Sequence, residues 1–378
     1  MRPCAWFLLV LMAVAPLTWQ AHASEADRLL AEQEKKRGPL FPGKDPAFLV
    51  TPRPSERTET ARELLTEDAA KIKQRAMSYL LSNQAADGSW SDKAYTRSTG
   101  VTALGALALM AAGNMPRVGP QGKALDRAIE FMLKNAQENG IVASEGVSTY
   151  GPMYEHLYAT MALIYAYGNT PWQPSLQNVI SRSLQATLAC QRLDGGWRYQ
   201  FTKEGQGDVS LTANVLWILR AAKKSGFSVP SNSVMKAQEF VRREAMPDGN
   251  FKYRFFGREA SPSLGGTCIE ALTAGGHMSD PLIGPARDRI AYDYQRYPVA
   301  DLAARRYFMY GAFYASLAMY TCGDQYWVPW YGKTLEVLKT TQKRDGEFAD
   351  ENGNTVYPTA MALIILQAPQ GWLPLYER

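Results

Sequence analysis

Two kinds of apolar pattern take turns along this chain. Stretches near 66–83, 123–138, 173–191, 232–244, 280–295 and 327–342 mix charges with apolar residues at spacings of three and four, as in Ile72, Ala76, Tyr79 and Leu80. That spacing predicts helices with one wet face. Between them lie Thr99 to Ala112, Glu155 to Tyr167, Asp208 to Ala222, Gly266 to Ala274, Arg306 to Tyr320 and Thr355 to Gln367, which are apolar nearly all round. Such helices are buried ones. They share a theme of Thr beside small residues (Thr102-Ala103-Leu104, Thr212-Ala213, Thr359-Ala360), which lets neighbouring helices approach closely. Six outer helices, each followed by an inner one, predict an all-α fold, an (α/α)6 toroid. An open solenoid would need polar caps at both ends, and the last inner helix, Tyr357 to Leu366, is as apolar as the middle ones.

A turn motif punctuates the alternation: Gln84-x-x-Asp87-Gly88-Ser89-Trp90, Gln191-x-x-Asp194-Gly195-Gly196-Trp197 and Gln342-x-x-Asp345-Gly346-Glu347-Phe348, with weaker copies after Gln137, Gln238 and Gln295. The glutamines step by 53, 54, 47, 57 and 47 residues, the regularity of a repeat architecture. A scaffold role explains the motif. Asp-Gly supplies a tight turn, the aromatic plugs between hairpins, and the glutamine bonds backbone groups left free at helix ends.

The start of the chain differs in kind. Met1 to Ala23 has a positive start at Arg2, an apolar stretch from Ala5 to Leu17 and a small-x-small site, Ala21-His22-Ala23, ahead of Ser24. This is the pattern of an export signal cleaved after Ala23, so a periplasmic or secreted protein is expected, with no transmembrane segment once the signal is gone. From Ser24 to about Leu64, Pro39, Pro42, Pro46, Pro52 and Pro54 predict a charged, extended arm, and the toroid occupies 65–378. Losing the signal leaves about +4 over 355 residues, too weak and dispersed for nucleic acid. Cys190, Cys268 and Cys322 allow one disulfide at most.

The turn motif resembles the repeat of squalene–hopene cyclases, oxidosqualene cyclases and the β-subunits of protein prenyltransferases, over about residues 66–378. Tyr154-Glu155-His156-x-x-Ala159-Thr160, Gly207-Asp208-Val209-Ser210-Leu211-Thr212 and Leu373-Pro374-Leu375-Tyr376 are similar to exported bacterial prenyltransferase/squalene oxidase repeat proteins. The resemblance implies a central cavity for an apolar isoprenoid or lipid. The catalytic motifs of that superfamily are degraded. Set against Asp-x-Asp-Asp-Thr-Ala of the hopene cyclases, Asp208-Val209-Ser210-Leu211-Thr212-Ala213 puts Ser210 where the proton-donating Asp belongs, and a hydroxyl is too weak an acid to protonate an alkene. The same Ser210 replaces the zinc-bound Cys of the prenyltransferases, and Val356-Tyr357-Pro358-Thr359 lacks their His. No metal and no cofactor is expected.

The polar residues that remain in or near the inner helices define a candidate site. Asp208, His156 and Glu270 are the catalytic candidates; Tyr154, Ser210, Arg306, Tyr307 and Tyr310 are the ligand-binding ones. His156 has a scaffold reading as a satisfied helix-start histidine beside the pocket one. His277, after Gly275-Gly276, reads as a helix-end cap. Glu270 needs a partner if buried, and Arg305 and Arg306 are candidates. Tyr307, Tyr310 and Tyr314 share one side of a helix by spacing. Three functions stay open: a cavity for an apolar isoprenoid or lipid, a polysaccharide lyase or glycosidase on an (α/α) toroid, and a non-catalytic scaffold with a filled ring.

Overall fold

A computed structural model describes residues 64, 66–144, 151–167, 170, 173–253, 262–274, 279–370 and 373. The expected signal, all of the expected arm but Leu64, His277 and the closing Pro374-Leu375-Tyr376 lie outside the described residues. The unit from Ala47 to Arg378 is built from helices alternating in the predicted order. The outer set is α1 (Glu67–Ser82), α3 (Gly122–Lys134), α5 (Gln173–Ala189), α7 (Ser231–Arg243), α9 (Ile283–Arg296) and α12 (Asp324–Thr341). The inner set is α2 (Thr99–Ala111), α4 (Met153–Ala166), α6 (Val209–Lys224), α8 (Gly265–Thr273), α11 (Phe308–Cys322) and α13 (Val356–Gln367). Two elements escape the helical pattern: a hairpin of β1 (Trp90–Asp92) and β2 (Tyr95–Ser98), and a short α10 (Val299–Ala303). No described helix is long and apolar enough to cross a membrane.

Periodicity explains the two layers. In α3 the buried residues Ala124, Leu125, Ala128, Ile129, Phe131 and Met132 form one stripe, whereas every residue of α2 is buried. Each inner helix packs on the next, and α13 packs on α2, so the ring is closed. Each outer helix packs chiefly on the inner helix that precedes it in the chain, which leaves α1 to pack on α13. Specific bonds fasten this seam. Asp92 accepts from the backbone N–H groups of Thr355, Val356 and Tyr357 at 2.5, 3.0 and 2.7 Å, a carboxylate at the N-terminus of α13. Tyr79 Oη meets Thr355 Oγ1 at 2.8 Å.

The turn motif is scaffold throughout. Gln84, Gln191 and Gln342 each donate Nε2 to the glycine carbonyl of their own turn, at 3.0 Å in all three. Each also reaches a carbonyl of the next outer helix, Ala124, Ser233 or Ile72, at 2.9 Å. The third of these bonds joins the last repeat to the first. Gly88 and Gly195 show why glycine is required: φ is +89° and +91°, and a Cβ would stand 2.2 and 2.3 Å from the carbonyl oxygens of Arg127 and Lys236. Trp90 and Trp197 are fully buried and donate Nε1 to Leu80 and Thr187 carbonyls at 2.7 Å. Truncating either would cost about 3–5 kcal/mol.

The repeat register differs from the one the glutamines suggest. The turn glycine sets it, at Gly88, Gly140, Gly195, Gly249 and Gly346, each with positive φ. By the shared turn bonds, the second and fourth repeats carry Ala136 and Ala245 where the others carry glutamine. Gln137 stands one residue late. Gln238 is unrelated to the turn; it is buried and donates to the carbonyls of Ala271 and Leu272 at the end of α8. Gln295 lies inside α9, and α10 follows in place of a glycine turn.

Candidate functional site

The starts of α4, α6 and α11 bring together four of the predicted residues. Asp208 caps α6, accepting from Leu211 N–H at 3.1 Å and from the Ser210 hydroxyl. Ser210 in turn accepts from Tyr154 Oη at 2.8 Å. Tyr310 Oη accepts from Asn214 Nδ2 at 3.2 Å, one helical turn below Ser210. Asn214 Oδ1 accepts from Tyr314 Oη, which also meets Tyr158 Oη at 3.1 Å. Tyr154 stacks on Tyr158 with ring centroids 6.1 Å apart, and lies 6.0 Å from Tyr199, whose hydroxyl meets that of Tyr253 at 2.6 Å.

Sequence reasoning missed Tyr158, Asn214, Tyr199 and Tyr253. The first two were within reach, because they lie four residues after Tyr154 and Ser210 and so on the same faces. Tyr199 and Tyr253 come from loops, where no periodicity marks them.

Tyr158 and Tyr314 belong to the second and fifth inner helices, opposite members of a ring of six. Their hydroxyl contact therefore spans the ring, and Trp217 packs edge-on against Tyr314 at 5.7 Å. At that level the centre is filled by side chains, so a cavity running through the ring is not what the tyrosines leave. Above it, Tyr154 and Tyr310 are half-buried. Burial pushes the hydroxyls of Tyr154, Tyr158, Tyr310 and Tyr314 above the ordinary tyrosine range, so all four are neutral.

The other candidates lie elsewhere. His156 is wholly buried and faces outward, toward the outer layer. Its Nδ1 accepts from Val142 N–H at 3.0 Å and its Nε2 meets Thr187 Oγ1 at 2.8 Å, while Phe201 packs edge-on at 4.9 Å. Burial lowers its pKa to about 3, so the ring is neutral. The reason is the repeat. Trp90, Trp197 and Phe348 donate their backbone N–H to Thr102, Thr212 and Thr359 at 2.9 Å, each the fourth residue of its inner helix, and His156 fills that position in α4. Its pocket role is corrected to the scaffold one.

Glu270 is buried, and its partners are not the expected arginines. Oε1 accepts from Thr321 Oγ1 at 3.1 Å and Oε2 lies 3.6 Å from Arg220 Nη1; burial raises its pKa against the pull of Arg220. Arg220 follows Asp208 by twelve residues, about 18 Å along α6, so Glu270 is tied to the opposite end of that helix. Arg305 bonds Asp293 at 3.1 Å. Arg306 and Tyr307 precede α11 instead of lying in it. Arg306 is 77% exposed, 4.0 Å from Glu351, and Tyr307, left-handed at φ 57°, is 45% exposed. The expected stripe thus reduces to Tyr310 and Tyr314. Cys190, Cys268 and Cys322 are free thiols.

No protein-family model and no curated protein matches the chain. Solved structures do. The type II terpene cyclase MstE from Scytonema superposes with a TM-score of 0.55 at 15% identity, covering 82% of this chain and 100% of that one. A glycosidase in complex with glucose gives 0.58 at 12% identity over 83% and 99%, and an alpha-amylase from Clostridium perfringens gives 0.53 at 13% over 79% and 97%. The chain has a terpenoid cyclase-like α/α-toroid fold, one that glycosidases share.

Proposed function

We propose that this toroid binds an apolar ligand of isoprenoid or lipid class in a recess at the N-terminal ends of its inner helices, floored by Tyr158 and Tyr314. One observation carries the reading. Tyr154 and Tyr310 keep accessible surface while their hydroxyls are bonded inward to Ser210 and Asn214, which sets ring surface beside a few polar points, as a ligand wall requires. The wall is aromatic, with Asp208, Ser210 and Asn214 as its polar points. Asp208 accepts hydrogen bonds from Leu211 and Ser210 through one oxygen, Oδ1, which makes it the polar anchor at the start of α6. Ser210, standing where the hopene cyclases place their proton-donating Asp, supports binding over cyclisation started by protonation. MstE has been captured with geranylgeranyl dihydroxybenzoate, a ligand of the proposed class.

A glycosidase would need two carboxylates about 5–10 Å apart, and the predicted pair, Asp208 and Glu270, is tied to opposite ends of α6. Export through Met1–Ala23 completes the proposal, and a mature N-terminus at Ser24 on the secreted protein would test it. For the ligand, purified protein is incubated with polyprenols and sterols and retained lipid is read by native mass spectrometry. Tyr310→Ala should abolish retention and Glu270→Gln should not. No retention by the wild type, or turnover of a glycan panel, overturns the proposal.

A further inference from the structure

Arg192 lies in the turn after α5 and is 4% exposed, yet its Nε and Nη1 have no hydrogen-bond partner. A buried cation without a partner is costly, so folded proteins normally pair it. The turn itself does not call for it. The equivalent positions, defined by the same backbone bond across the turn, hold Ala85, Gln137, Met246 and Lys343. Lys343 has a counter-ion four residues on, Glu347, and there the third repeat has Gly196 instead. Two carboxylates act on Arg192 through their charge, and neither bonds it. Asp194 is engaged by the backbone N–H groups of Gly196 and Gly207 at 2.9 and 2.8 Å, and Glu204 is exposed. Arg198 adds a second positive charge to the same surroundings.

Gly205 packs directly on the guanidinium. Its φ is +79°, and a Cβ there would meet only Arg192 Nη1, at 3.3 Å. The loop thus covers Nη1 with a glycine, and no other atom stands within 4 Å of that Cβ position. The same loop carries Tyr199 to its place beside Tyr154, so the guanidinium packs against a loop that also reaches the proposed recess. We infer that Arg192, with Gly205 beside it and Arg198 reinforcing its charge, binds one anionic group, a phosphate or a carboxylate, as the head of the apolar ligand. The planar fork of an arginine suits either group. This inference rests on the recess reading for the ligand's apolar part.

The test uses the full chain in phosphate-free buffer, with inorganic phosphate, farnesol and farnesyl phosphate as probes and Arg192→Met as the main variant. Phosphate should raise the melting temperature of the wild type and leave that of Arg192→Met unchanged. Calorimetry should show farnesyl phosphate binding the wild type about tenfold to a hundredfold more tightly than farnesol, and the two alike on Arg192→Met. Without phosphate, Arg192→Met should melt no lower than the wild type, since it removes an unpaired buried charge; a lower melting point would make Arg192 a structural group and overturn the inference. So would a phosphate response that survives the substitution, or none in the wild type. Farnesol binding with no gain from its phosphate overturns the anion site and leaves the recess. Arg192-dependent phosphate binding without farnesol binding keeps the anion site, for a free anion, and overturns the recess. Should Arg192→Met fail to fold, Arg192→Lys keeps the charge without the fork and should retain a weaker phosphate response.

Discussion

Replacing Thr212 by Val isolates the bond on which the repeat depends. Thr212 and Trp197 are both fully buried, and the Trp197 backbone N–H donates to Thr212 Oγ1 at 2.9 Å. Valine fills the same volume, so no cavity opens; what is lost is the acceptor. An orphaned buried N–H costs about 1–3 kcal/mol, and at roughly 2–3 °C per kcal/mol for a domain of this size the melting temperature should fall by about 2–9 °C. Thr160 is the internal control. It is equally buried, on α4, but its hydroxyl has no partner, so Thr160→Val should be neutral or slightly stabilising. Thr212→Ser keeps the acceptor and loses one methyl, about 1 kcal/mol. The assay is thermal unfolding followed by circular dichroism on all three variants side by side. Should Thr160→Val cost as much as Thr212→Val, the hydroxyl would be contributing through packing alone and the reasoning would fail.

Three further outcomes follow from the same structure. Gly195→Ala, with a Cβ 2.3 Å from the Lys236 carbonyl oxygen, should yield little folded protein, while Gly226→Ala, at φ +87° with nothing within 4 Å, should cost only about 1–2 kcal/mol by denaturant titration. Gln342→Ala removes two bonds, one of them to Ile72 across the seam, and should destabilise by about 1–3 kcal/mol with faster hydrogen exchange in both α1 and α12. Glu244 is wholly buried at the end of α7 with both carboxyl oxygens unpartnered, and burial raises its pKa. A raised carboxyl pKa makes the folded state hold its proton longer than the unfolded one. Stability should therefore fall as pH climbs from the unfolded carboxyl value through the folded one, and Glu244→Gln should flatten that slope in a pH series of urea titrations.

The helices were legible because each writes its burial into its own spacing: α3 shows a stripe and α2 shows none. The turn motif was legible as scaffold for the same local reason. Its register was not, since glutamine catches the eye while the positive-φ glycine does the work that no other residue can. His156 illustrates the harder failure. A lone buried histidine at a helix start reads as chemistry until its bond to Val142 is seen beside the three threonine bonds it imitates. Glu270 needed a partner, and burial alone predicted that much; only the stacking order of α6, α8 and α11 could choose Arg220 over Arg305 and Arg306. The cluster at the helix starts was half legible, through Tyr154, Ser210, Asp208 and Tyr310; Tyr158 and Asn214 share their faces four residues on, whereas Tyr199 and Tyr253 arrive from loops.

The seam between α13 and the start of the domain also dictates how this chain must fold. Its bonds join residues 263 to 276 positions apart, far beyond the separations within a hairpin. Closing loops of that length adds an entropic cost that local helix formation cannot offset early, and topologies rich in such contacts fold slowly. An open solenoid can be completed repeat by repeat as it is synthesised. Here α1 leaves the ribosome without the surface it is meant to cover, and that surface is the last to be made.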